Sequence, residues 1–384
     1  MDTTNWPYHG GPARGENTLG IGYLNWYIPR LKEQRKHDLS HSGLQYHWNF
    51  AELMEDEIFE IGKHHIMDKI DPRIFVAEKE GVPPEQIVVT HGATQALQVA
   101  LLSVAHNEGE KIIAVETPAY APVSQTANLL GYETRPVSRH PPKGDLGHWR
   151  INKSEWDKVL SEASVLMLTP ILNPVGWDLH PDDKDWIAKK CKELSVFIVA
   201  DEVYSDSMIG HPDFKKMFTY GDHCISINSL TKVHGLGSIR FGWIVASKEV
   251  AKRAQDVFRT VEGMISSPSV RIARRAFNEL HLPLEKIESL RKQNLPILRD
   301  LLQKHGIDWN EPEYGVFGAF KLPNDADSLK FVDTECARHS LLAVPGSMFS
   351  DELTSWLRVA WSIEHEAFID SCNALDRALS DLKN

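Results

Sequence analysis

The sequence predicts an α/β protein: a mainly parallel sheet covered by helices, followed by a smaller α+β domain. Three observations carry this. Short β-rich runs alternate with amphipathic helices from about residue 87 to residue 261, which is the signature of crossover-connected strands. Several runs, such as Val196-Phe197-Ile198-Val199-Ala200, are apolar throughout instead of alternating, as suits strands buried on both faces. And the chain has 384 residues, more than the roughly 250–300 at which one core stops growing.

Residues 1–45 are rich in Gly, Asn, Tyr and Trp and weakly periodic, so they read as an extended arm ordered by another surface. The first clear strand is Ile87–Val89. Gly92-Ala93-Thr94 then turns into an apolar helix, Ala96–Ala105. Further strands are expected at Ile112–Val115, Val165–Leu168, Val196–Ala200, Cys224–Ile227 and Trp243–Ala246, with helices at Pro122–Leu130, Asp182–Leu194 and Lys248–Val261. After about residue 285 the character changes: helix Leu284–His305, a Gly-rich strand region Tyr314–Leu322, strand-like Leu342–Val344 and Trp356–Trp361, and a last helix, Ile363–Leu382. The expected division is a large domain over 46–285 and a small one formed by 1–45 plus 286–384.

Composition narrows the function. The formal net charge is −11, and an acidic surface repels phosphate backbones and anionic lipid, so neither nucleic acid nor membrane is an expected partner. No apolar stretch approaches the ~18 residues of a membrane span, and the opening Met1–Pro7 has no signal-peptide pattern. Cys191, Cys224, Cys336 and Cys372 form no CxxC pair, which suits free thiols in a reducing cytosol. His64-His65 near Asp68 and Asp71 fit no standard ligand spacing, so no metal is expected.

The chemistry-bearing residues fall at the carboxyl ends of predicted strands, where open parallel sheets bind ligands. Gly92-Ala93-Thr94 would present backbone N–H groups and a helix N-terminus to an anion, or would simply cap a helix. Asp201, after a buried strand, is costly unless it meets a cation: either a structural Arg or a protonated pyridine nitrogen, whose charge an ionised carboxylate would preserve. Lys232, in Ser229-Leu230-Thr231-Lys232, sits where an amine could condense with a carbonyl. Ser229 and Arg240 could share the anion of the Gly92 turn. The Gly235/Gly237 pair is no dinucleotide fingerprint, because Arg240 stands at the third glycine position.

Asp201-Glu202-Val203-Tyr204 and the Ser-x-x-Lys…Arg-x-Gly stretch, in this order, resemble the class I/II aminotransferases of pyridoxal 5′-phosphate (PLP) fold type I, from about residue 80 to the C-terminus. The resemblance implies a seven-stranded-type sheet and an imine between PLP and Lys232, which also shuttles the substrate proton. It implies that Asp201 holds the pyridine nitrogen and that Asn173 and Tyr204 donate to the ring oxygen. Tyr120 stacks on the ring, and Gly92, Ala93, Thr94, Ser229 and Arg240 hold the phosphate. Arg358 grips the substrate α-carboxylate, with Asn173 and Gly43 beside the substrate. It also implies a homodimer.

The segment before about residue 80 departs from the family pattern. Ile61-Gly62 stands where the family shows Tyr-Gly, Tyr46 is a substitute hydroxyl, and Ser42-Gly43 stands for the family's substrate-loop glycine. The expected reaction is ping-pong transfer of an amino group between an amino acid and a 2-oxo acid in the cytoplasm. A C–S β-lyase or decarboxylase on the same scaffold is the alternative. An aminotransferase-like regulator would need a basic helix-turn-helix module, and the first 80 or so residues are neither basic nor so patterned. A second carboxylate-binding cation would favour Asp or Glu as substrate, an apolar pocket Ala or an aromatic amino acid; Arg14 and Arg30 are the candidate cations in the arm.

Overall fold

The computed structural model describes residues 22–55, 57, 62–105, 112–142 and 147–382. In chain order its strands are β1 (His37–Asp38), β2 (Ile87–Thr90), β3 (Ile112–Thr117), β4 (Thr134–His140), β5 (Arg150–Ile151), β6 (Ala163–Leu168), β7 (Phe197–Asp201), β8 (Cys224–Ser229), β9 (Gly242–Val245), β10 (Phe317–Lys321), β11 (Leu341–Leu342), β12 (Val344–Pro345) and β13 (Trp356–Ala360).

The main sheet has eight strands in the order β2-β9-β8-β7-β6-β3-β4-β5. From β8 to β4 the pairing is parallel. β9 runs antiparallel to both β2 and β8, and β5 antiparallel to β4. The seven-stranded expectation is therefore one strand short, and the extra one is the two-residue β5 at an edge. Every residue of β2, β8 and β9 is buried, because helices cover both faces and leave polar side chains no solvent.

The helices form for local reasons. Lys248–Val261 buries Val250, Ala251, Ala254 and Phe258, one stripe at helical spacing. Its first turn is capped by Ser247, whose hydroxyl accepts from the Val250 N–H at 3.4 Å. Pro181–Leu194 starts with proline in its first turn and stops at Ser195 in the left-handed conformation.

A second, antiparallel sheet has the order β10-β13-β12. The N-terminal segment comes in from far away in sequence: β1 pairs in parallel with β11 as a third, two-stranded sheet, and the Ala360 N–H of β13 donates to the Leu39 carbonyl at 2.7 Å. Two expectations change here. The arm is not extended throughout, since Gly22–Lys32 is a helix that buries Tyr23 and Trp26. Leu342–Val344 is not one strand, since β11 and β12 belong to different sheets. Position 285 lies inside one continuous helix, His281–Lys304. Among the described residues no helix is long and apolar enough to cross a membrane.

Candidate active site

The antiparallel β9 matters for the site. Because β2 and β8 both oppose it, their carboxyl ends lie at the edge where β9 begins. That brings the Gly92 turn, the Ser229–Lys232 turn and Arg240 together. A cavity of about 210 Å³ opens there, and Ala93, Thr94, Tyr120, Asn173, Asp201, Tyr204, Ser229, Lys232 and Arg240 all line it. Gly92, Gly43 and Arg358 stand behind this lining. Gly92 (φ +81) holds a backbone conformation that side-chain-bearing residues rarely adopt, and a Cβ there would lie 2.6 Å from the Arg240 guanidinium, which would have to move. A Cβ on Gly43 would lie 3.2 Å from the Lys232 carbonyl oxygen.

Asp201 ends β7 and is buried. One oxygen accepts from the Val203 N–H at 3.3 Å. Burial pushes its carboxyl up to about 6, against the Val203 hydrogen bond and the charge of Lys232. Lys232 moves the other way. Desolvation, then repulsion from Arg358, pull its amine down to about 8; Asp201 opposes this and Arg240 adds to it. Its Nζ lies 5.8 Å from the centre of the Tyr120 ring and donates to Ser42 Oγ at 2.7 Å. Burial raises the Tyr204 hydroxyl far above its ordinary range, so it stays a donor, here to the Ser42 carbonyl at 3.0 Å.

Arg358, in the middle of β13, is 1% exposed. It donates to Asn173 Oδ1 at 3.1 Å and to the Ser40 carbonyl at 2.7 Å, while its buried Nε has no partner. The rings of Phe317, Phe349 and Tyr23 lie 5.0, 5.1 and 6.0 Å from its guanidinium carbon. Ser40, Tyr23 and Phe349 thus join a site to which sequence reasoning had not assigned them, and Ser42, named there only with the Gly43 segment, contacts Lys232 and Tyr204. Only Tyr23, at helical spacing from Trp26 and Tyr27, had a local signal.

Arg30 is not placed for a substrate. Its guanidinium pairs with Asp333 at 2.7 Å. Arg14 lies outside the described residues, as does Ile61 of the Ile61-Gly62 pair. Tyr46 packs edge-on to Trp48 and against Gly235, outside the cavity lining. Among the described residues no group of three or more His, Cys, Asp or Glu side chains could hold a metal ion.

The family model described as aminotransferase class I and II matches residues 75–373. The chain belongs to the class I and II aminotransferases. An aspartate aminotransferase of Streptomyces avermitilis is 23% identical over 322 residues, 79% of this chain and 76% of that protein. A capreomycidine synthase of Streptomyces vinaceus is 24% identical over 357 residues, 88% and 89% of the two chains. The crystal structure of an aspartate aminotransferase from Thermotoga maritima superposes with a TM-score of 0.78 at 19% identity, covering 96% of this chain and 98% of that one.

The cofactor of this aminotransferase family is PLP, and the residues present fit it. The helix beginning at Ala93 has no side-chain cap at its N-terminus, so its first N–H groups are available to an anion, with Arg240 beside them. Asp201 is a buried carboxylate without a cation in contact, which a pyridinium N–H would satisfy. The buried, unpartnered Arg358 Nε is a donor left over for an incoming carboxylate.

Proposed function

We propose that this aminotransferase carries out ping-pong transfer of an amino group between an L-amino acid and a 2-oxo acid, with Lys232 as its proton-transfer base. Bound PLP supplies an aldehyde carbon that condenses with amines and a ring that accepts the Cα–H electron pair. Asp201 would hold a proton on the ring nitrogen. The N–H groups of Ala93 and Thr94, with Ser229 and Arg240, would hold the phosphate, and Gly92 makes room for that arginine. Tyr120 would cover a ring face, while Asn173 and Tyr204 would donate to the ring oxygen. Arg358, steadied by Asn173, would bind the α-carboxylate in the two-pronged geometry a guanidinium allows. Gly43 lets the N-terminal segment pass close to Lys232. The free Lys232 amine would then remove the α-proton and return it one carbon away. An amine near 8 is neutral often enough at neutral pH to act as that base.

The observation that carries this reading is the convergence of Lys232 and Asp201 on one cavity, with Arg358 tied to its Asn173 wall. An absorbance screen across the common amino acids tests it. The expected result is conversion of the cofactor from its aldehyde to its amine form by a productive amino acid, and loss of the visible Lys232-linked band in Lys232→Ala. An unchanged spectrum in that variant would overturn it. The second reading is another PLP reaction on the same residues, such as C–S β-elimination or decarboxylation. In that case product would form while the amine form never accumulates.

The ring set around Arg358 favours substrates with apolar or aromatic side chains. The cations that weigh on Lys232 are Arg358 and Arg240, and Arg30, the described candidate for a second carboxylate partner, is taken by Asp333. We also propose a homodimer. Ile66, Met67, Val261 and Met264 are exposed apolar side chains, and Ile66 and Met264 line a cleft of about 350 Å³, a surface that a second copy would cover. Light scattering on the purified chain would check it. A cytoplasmic location is supported by the four buried cysteines, none of them in a disulfide. The division into two domains is supported by the separation of the eight-stranded sheet from the two small sheets, β10-β13-β12 and β1-β11.

A further inference from the structure

The segment from Asp38 to Leu44 makes a series of hydrogen bonds to residues assigned above to chemistry. The Ser40 carbonyl accepts from Arg358. Ser42 accepts twice, through its hydroxyl from Lys232 Nζ at 2.7 Å and through its carbonyl from the Tyr204 hydroxyl at 3.0 Å. The Leu44 N–H donates to the Lys232 carbonyl at 2.8 Å. The segment is pinned at its other end, where the Leu39 N–H donates to Leu342 and the Leu39 carbonyl accepts from Ala360. The backbone of Ser42 is therefore held on both sides, at Leu39 and at Leu44, and by its own carbonyl, through bonds that do not involve the Lys232 amine. A hydroxyl carried on backbone fixed in this way costs little reorganisation when charge develops beside it.

We infer that Ser42 is a further catalytic residue, whose hydroxyl holds the free Lys232 amine while that amine exchanges a proton with the substrate α-carbon. This rests on the proposed role of Lys232. In the step concerned the amine takes the α-proton and becomes an ammonium, and the Cα–H electron pair passes to the cofactor. The ammonium later gives the proton back at the cofactor carbon bearing the transferred nitrogen. Ser42 Oγ accepts from the nitrogen in both states. The bond is stronger to the ammonium, because the donor is then charged, so the hydroxyl favours proton uptake. It also directs one N–H away from the substrate and leaves the lone pair free. The other groups facing the amine are the Arg358 and Arg240 cations, the Asp201 carboxylate and the Tyr120 ring. The two cations oppose an ammonium, and Ser42 offsets part of that opposition.

The experiment uses the full chain in two forms. In the cofactor-free protein, modification of Lys232 by cyanate is followed against pH by mass spectrometry of the peptide that contains it. Ser42→Ala is expected to lower the midpoint by about one pH unit, since an acceptor for the ammonium is lost, and Ser42→Thr, which keeps the hydroxyl, to restore it. In the holoenzyme, Ser42→Ala is expected to slow the half-reaction by roughly ten- to a hundredfold, with a larger isotope effect for an α-deuterated amino acid. An unmoved midpoint in Ser42→Ala, or a Ser42→Thr variant as impaired as Ser42→Ala, overturns the role of Ser42. If Lys232→Ala instead binds PLP and keeps the visible band, the reading of Lys232 itself fails, and the cyanate titration of the wild-type chain still reports on the Ser42 contact.

Discussion

Replacing Asp201 by Asn tests the electrostatics of the site without any substrate. In the cofactor-free protein the carboxyl is raised from its ordinary 3.8 to about 6, which corresponds to roughly 3 kcal/mol of cost to the ionised form. Between these values the folded chain keeps a proton that the unfolded chain has released, so stability is lost as pH rises through that window. A neutral amide in its place would carry no such penalty. It would still accept from the Val203 N–H, now 3.3 Å away, but its new N–H₂ group would lack a partner, at a cost of about 1–2 kcal/mol. At pH 8 the variant should therefore be more stable than wild type by about 1–2 kcal/mol, and at pH 4 less stable by a similar amount. With an unfolding entropy of roughly 2 cal/mol/K per residue and 384 residues, the total swing is on the order of 4 °C in Tm. Thermal melts of both apoproteins at several pH values measure it. A Tm difference that stays flat from pH 4 to pH 8 would refute the assignment of Asp201 as an uncompensated buried acid. The same substitution should slow turnover of the holoenzyme by on the order of 10²–10³-fold, the usual result of removing a preorganised electrostatic partner.

Three more substitutions have expected outcomes. Arg358→Lys keeps the charge but loses one prong of the carboxylate grip, and kcat/KM should fall by roughly 10- to 100-fold; steady-state kinetics reporting an unchanged value would contradict the assignment. Gly92→Ala forces a side chain onto backbone at φ 81, ψ 173, a region costing about 1–3 kcal/mol outside glycine. It also displaces Arg240, so the Kd for PLP by tryptophan fluorescence should rise at least about tenfold. Tyr23→Ala removes a ring of the set around Arg358, and the ratio of kcat/KM for phenylalanine over alanine should drop by about tenfold, within the range one lost apolar contact gives.

The parts of this molecule that were legible in sequence share a physical trait. Strands β6 and β7 are buried on both faces and read as apolar runs over Val165–Leu168 and Phe197–Ala200, while β8 is buried throughout although Ser226, Asn228 and Ser229 alternate with its apolar residues, and the polar residues that end these strands stand out. Asp201, Ser229 and Lys232 were conspicuous for this reason. Strand β4, Thr134-Arg135-Pro136-Val137-Ser138-Arg139-His140, lies near the sheet edge with only Val137 and Arg139 buried, so no apolar run marks it. The helix Gly22–Lys32 carries Pro29 in its interior, which breaks the expected pattern although Tyr23, Trp26 and Tyr27 share helical spacing. The contacts of Ser40 and Ser42 were invisible for another reason. They depend on β1 pairing with β11 some three hundred residues later, and no local periodicity encodes that meeting.

Asp201, at the end of β7, and Asp206, five residues on, are both buried, yet the chain treats them in opposite ways. Burial penalises both. For Asp206 the penalty is outweighed by Lys216 at 3.0 Å and Lys79 at 2.8 Å, and the His234 ring nitrogen adds a contact at 2.9 Å, so its carboxyl is held well below the ordinary range. Glu80 shares both lysines, at 2.7 and 3.1 Å, which leaves two acids balanced by two bases. The interior is therefore capable of neutralising a buried carboxylate completely. At Asp201 it supplies a backbone N–H at 3.3 Å and the charge of a lysine whose amine donates to Ser42. A buried acid left in this condition is stable only if its compensation arrives from outside. A ring nitrogen that becomes cationic on binding supplies it, so the same missing partner that destabilises the empty chain becomes a source of cofactor affinity. On this argument the stability gained by Asp201→Asn in the apoprotein and the cofactor affinity lost by it should be of similar size.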